Sequence, residues 1–165
     1  MISRRPRLPD DVRSQLDLMP KERILAWVDD GDGRLVVASE TALHLQRNPP
    51  DYTRFSWDQI ETARYGEGLL TVVLVPALDS ATLRIPVGDV RDLPVAVRDR
   101  VTASVVVDRF VAIDGERGAR IVARRTTDGS PSWRLDLDPE LVGDPDAVSQ
   151  AEMALEDVKR EVLID

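Results

Sequence analysis

Few residues in this chain could do chemistry, and their spacing argues against most reactions. His44 is the only histidine, and there is no cysteine. Disulfides, thiol nucleophiles and thiolate-held metals are therefore unavailable, and the common nucleophile–base pairs and zinc sets are largely excluded. His44 alternates with Leu43 and Leu45. That parity predicts a polar-facing strand position, with a surface or partly packed ring rather than a general base or ligand. Asp29, Asp30 and Asp32 are interleaved with Gly31 and Gly33. A calcium loop with Gly33 sixth would place Val28 and Ser39 where carboxylates are needed, so a hairpin turn is the better account. Asp136 and Asp138 share a strand face with Arg134, leaving Trp133, Leu135 and Leu137 opposite. A paired-carboxylate enzyme can be imagined there, but a solvated face with local ion pairs is the reading we prefer. Neither standard glycine-rich phosphate loop is present.

Arg109, Arg117, Arg120, Arg124, Arg125 and Arg134 make the one locally basic stretch visible in the sequence. Two readings compete. Arg120, Arg124 and Arg134 could bind an anion or lipid headgroup, or the arginines could receive the protein's own acidic final segment. Sequence proximity and opposite charge favour the second. Residues 135–165 carry ten carboxylates against Lys159 and Arg160, a balance of −8 that equals the net charge of the whole 165-residue chain. The remainder is near neutral. Such a balance argues against nucleic acid or an anionic membrane, which need a basic face to displace counterions.

The elements that must position these residues are legible from period and turn chemistry. With 42% hydrophobic and 32% charged residues, the chain has the composition of an ordinary globular protein. No apolar run approaches the roughly 20 residues of a spanning helix, so no integral membrane association is expected. MISRRPRLPDD lacks the apolar stretch of a secretory signal. The expectation is a cytoplasmic protein without a cofactor. Residues 1–8 read as a loose arm and Asp10–Leu18 as one or two helical turns, giving an N-terminal segment 1–19. From Arg23, short alternating stretches follow one another: ILAWVDD, RLVVAS, ALHLQR, TRFSW, ETARY, LLTVVLV and ATLRIPV. Asp30-Gly31 and Asp32-Gly33, Asn48-Pro49-Pro50-Asp51, Gly66-Glu67-Gly68 and Asp79-Ser80 break them. Asp92 is placed to cap a helix over 93–107, with Leu93, Val97, Val101 and Val105 as its buried stripe. Arg109–Ile113, Ala119–Arg125 and Trp133–Leu137 then form a three-stranded meander. A last helix follows, capped by Asp144, with Pro145 at its first position and a seam of Val148, Ala151, Leu155, Val158 and Val162. That seam can cover its own meander, the preferred reading, or zip to a second copy as a homodimer. Trp27, Trp57 and Trp133 are expected in the core rather than as stacking platforms.

Seven strands and a closing helix over 20–107 resemble the pleckstrin-homology-like fold of bacteria. Ser56-Trp57-Asp58-Gln59-Ile60 is similar to the tryptophan-x-x-isoleucine turn of many such domains. ERILAWVDD, RLVVAS, FSWDQIETARY and VRDRVTASVVV together resemble a group of small uncharacterised proteins from G+C-rich Gram-positive bacteria. The resemblance implies a strongly bent antiparallel sheet closed by a helix, and brings no established activity. Eukaryotic members bind phosphoinositides through a basic first loop; here that loop carries Asp29, Asp30 and Asp32, which repel phosphate.

The expectation is therefore an α+β chain: a pleckstrin-homology-like domain over 20–107, then a β-meander and C-terminal helix over 108–165 docked on it. Its expected function is a non-catalytic interaction module offering a sheet edge or groove to a protein or peptide. The alternatives are the anion site on the meander arginines and, third, a carboxylate-based enzyme.

Overall fold

The computed structural model describes residues 7–48 and 50–164. Among them, ten strands pair antiparallel in three sheets, and the chain divides after Ser104 into two compact units. The division falls three residues before the expected one at 107.

In the first unit, β1 (Ile24–Asp29), β2 (Leu35–Ser39), β3 (Ala42–Asn48) and β4 (Asp51–Ser56) form one sheet in that order. A second sheet holds β5 (Ile60–Gly66), β6 (Leu69–Leu74) and β7 (Thr82–Pro86). The β1–β2 connection works as its sequence requires. Gly31 and Gly33 take φ of +93° and +79°, and the Asp29 and Asp30 carboxylates accept backbone N–H groups of the loop. The single bent sheet expected from the strand series is two sheets instead, because a 3₁₀ turn at Trp57–Gln59 interrupts the ladder. Ser56 and Gln59 cap that turn reciprocally. Trp57 is buried there and donates Nε1–H to the Ser39 and Glu40 carbonyls, at 3.2 and 3.1 Å.

The helix α2 (Asp92–Ser104) buries Leu93, Val97 and Val101 in one core with Val36, Leu43 and Leu45 of the first sheet and Leu70 and Val72 of the second. It begins one residue early, since Arg91 rather than Asp92 accepts the first helical bond, from Val95 N–H. It also ends at Ser104, not at 107. Val105-Val106-Val107 are β-branched and stiff at χ1, and they enter a strand instead of prolonging the helix.

Before β1, α1 (Asp10–Gln15) is where the sequence placed helical turns. The arm is not loose throughout. Residues 1–6 lie outside the described set, but Leu8 and Leu16 are buried against Val37, beside Trp27, Leu35 and Tyr52. Those partners have the outward parity of the first sheet, so the arm covers the sheet's second face.

The second unit is the meander β8 (Val105–Asp114), β9 (Arg117–Arg125) and β10 (Pro131–Leu137), with β9 central, followed by α3 (Pro145–Ile164). Asp144 Oδ1 accepts the Asp146 N–H at 3.0 Å, the expected cap. The α3 seam lies on this meander, burying Ala151 and Val158 while Ala119, Ile121 and Ala123 become inaccessible on β9. Covering its own sheet thus occupies the face that the homodimer reading would use. Trp133 and Trp27 are half-buried, whereas Trp57 alone of the three is fully buried.

Candidate functional site

The structure brings Arg120, Arg124 and Arg134 to one face of the meander, because each occupies the same parity on paired strands. They are not held ready for an anion. Arg120 grips Asp108 through two bonds of 2.7 and 2.5 Å, which keeps that carboxyl below its ordinary pKa. Arg134 Nε lies 2.8 Å from Asp136 Oδ2, and Arg124 is only 6% exposed. Arg109 reaches α3 at Glu161, at 2.7 Å, as the internal-pairing reading expects, while Arg117 takes Glu140 just before the helix. Because the Arg120–Asp108 pair is half exposed, Arg120→Ala is expected to cost less than about 1 kcal/mol in urea unfolding. The paired-carboxylate idea fares no better: Asp136 binds Arg134, and Asp138 accepts the Glu140 N–H at 3.0 Å. Among the described residues, no cluster of three or more metal-ligating side chains occurs.

His44 requires a correction. It is 0% exposed, not a surface or partly packed ring. The ring does take the parity of the outward face, but the arm covers that face, so polar-facing does not mean solvated here. Its Nε2 lies 3.0 Å from Ser39 Oγ, an arrangement that could resemble a base and its nucleophile. Two facts separate it from one. Among the described residues Nδ1 has no orienting partner, and both residues are sealed from solvent. Burial first, then the Arg54 guanidinium, push the ring's pKa down to about 4. Beside it, buried Glu22 ties the arm to the sheet. Its carboxylate accepts Met19 N–H at 2.7 Å, Thr41 N–H at 3.0 Å and the Thr41 hydroxyl at 2.5 Å. Burial raises that carboxyl's pKa, but bonds from Ser39, Thr41 and Met19 outweigh it and leave the pKa lowered.

A different place is open and unsatisfied. Among the described residues β5 has β6 as its one strand partner, so its other side has no strand beside it, and α2 packs against β5. Between them lies a groove of about 580 Å³. Its apolar part is made by Ala63, Leu70, Pro94 and Val95; Val95 is 55% exposed and neighbouring Tyr65 is 39% exposed. The Tyr65 hydroxyl donates to the Gly88 carbonyl at 2.9 Å, which fixes the ring at the rim. Arg64, Arg91 and Arg98 complete the lining, all three exposed, and among the described residues no carboxylate joins them. Among the described residues none of the three takes part in an ion pair.

Sequence reasoning missed this second basic region. The signal existed, since Arg91 and Arg98 are seven residues apart and so share a helix face with Pro94 and Val95. Nothing in the sequence put Arg64 opposite them.

Compared with known proteins, the chain matches no family model, no curated sequence and no solved structure. The class defined so far is an α+β protein with an arginine-rimmed sheet-edge groove. No helix among the described residues is long and apolar enough to cross a membrane.

Proposed function

We propose that this protein is a non-catalytic recognition module which takes an extended, acidic segment of a partner protein onto the edge of β5, alongside α2. The observation that carries the reading is the coincidence of three features in one place. Among the described residues there is a β5 edge with no strand partner, an apolar strip in which Val95 stands exposed, and three exposed arginines without ion-pair partners. Backbone pairing to an edge supplies affinity that any sequence can use, while side-chain pockets beside it supply selectivity. The arginines choose the sign: a basic peptide is repelled, and an acidic one gains charge-assisted bonds to forked guanidiniums. Four strands, three strands and a closing helix in the first unit also support a pleckstrin-homology-like body, a scaffold on which recognition grooves are readily built.

The test is a titration of isotope-labelled protein with a capped acidic peptide, followed by amide chemical shifts. Shifts should concentrate on 63–66 and 91–98, weaken as salt rises, and require about tenfold more peptide in the Arg98→Glu variant. Shifts confined to other surfaces, or none at millimolar peptide, would refute the reading.

A further inference from the structure

Resting on that reading, we infer that the groove selects a spaced pattern in its ligand: an acidic residue, any non-basic residue, an apolar residue, any non-basic residue, and a second acidic residue. Lengths and alternation set this pattern. Arg91, which caps α2, and Arg98, two turns into it, flank Pro94 and Val95, and all four line the groove. Seven residues of helix separate the two guanidinium-bearing positions by roughly 10 Å along the axis. In an extended peptide, residues that face the same way recur every second position, about 7 Å apart. A ligand whose acidic groups meet both arginines while a third side chain sits on Val95 must use three same-facing positions in a row. These are the first, third and fifth. They span about 13 Å, and the excess over the helix distance is within the reach of two splayed arginine side chains.

A shorter spacing fails for a physical reason. With acidic residues at the first and third positions, no same-facing residue lies between them, so the 55% exposed Val95 stays wet. With acidic residues at adjacent positions, the second points away from α2. The intervening second and fourth positions face away from the helix, on the side where the β5 register places Arg64, and there any residue but a basic one is accepted. Because alternation is the same in both chain directions, the pattern holds for a peptide bound parallel or antiparallel to β5.

The measurement uses two capped seven-residue peptides of identical composition. One has aspartate at positions two and six, leucine at four and threonine at three and five. The other has both aspartates adjacent at positions two and three. Fluorescence anisotropy should give the spaced peptide about tenfold tighter binding to the full chain. With the Arg91→Glu variant that preference should vanish, and replacing one of the spaced aspartates with lysine should restore it. Equal affinity of the two peptides would overturn the spacing while leaving the peptide groove intact. Binding of neither, together with silent groove amides, would overturn both.

Discussion

Gly118→Ala is expected to unfold the C-terminal unit. Gly118 sits on β9 opposite Ala112 of β8, where the register shifts. A Cβ there would lie 2.0 Å from the Val111 carbonyl oxygen and 2.9 Å from Ala112 Cα. Both are backbone atoms of the neighbouring strand, so no rotamer change can make room, and the two strands must separate. The same residue's carbonyl accepts the Asp138 N–H at 2.9 Å, so a shift of β9 also loosens the chain leading to α3. The cost should exceed about 3 kcal/mol, in the range of backbone strain and disrupted packing combined. Amide hydrogen exchange reads it directly: protection of β8, β9 and β10 should collapse. Gly143→Ala is the matched control. Nothing lies within 4 Å of a Cβ built at Gly143, and that variant should exchange like the parent. Retained protection in Gly118→Ala would mean that β8 and β9 can part without loss.

Acidification should weaken the first unit well before carboxylates in general are protonated. In the folded state His44 stays neutral down to about pH 4, whereas an unfolded histidine takes up a proton near pH 6.5. Between those values the unfolded chain binds more protons, so stability is full above about pH 6.5 and falls as pH drops toward 4. The maximum loss from this residue is about 3 kcal/mol. Glu22 continues the trend lower down. Its pKa is lowered in the fold, so its contribution is present above the ordinary carboxylate value of 4.5 and is lost as pH falls through the folded one. Urea unfolding at pH 7.5 and 4.5 should therefore differ by a few kcal/mol in the parent. His44→Gln should be less stable at pH 7.5, since it disturbs the Ser39 contact, yet show a much flatter slope between the two. An unchanged slope in that variant would assign the acid sensitivity to other groups.

How much of this was legible before the chain was folded differs from element to element. Turn and strand positions were, because they depend on local backbone rules: glycine at Gly31 and Gly33, the cap at Asp144, and period two around Leu43 and Leu45. The α2 stripe was legible up to Val101. Its end was not, because a run of valines suits either a helix flank or a strand, and pairing with β9 decides between them. His44 shows the opposite limit. Its parity was plain, but exposure belongs to what covers a face, and the cover came from Leu8 and Leu16, far away in sequence. The meander arginines were found by density alone. Density does not reveal that Asp108 and Asp136 sit within reach of them.

By itself, then, the sequence determined the α+β content, the order of strands and helices, and the scarcity of reactive side chains, all of which follow from nearest-neighbour backbone preference and composition. Tertiary structure alone decided which charges are satisfied and which are left over. Arg64 reaches the same groove as Arg91 and Arg98 only once β5 lies against α2. A free sheet edge likewise exists only after every other strand has found its partner.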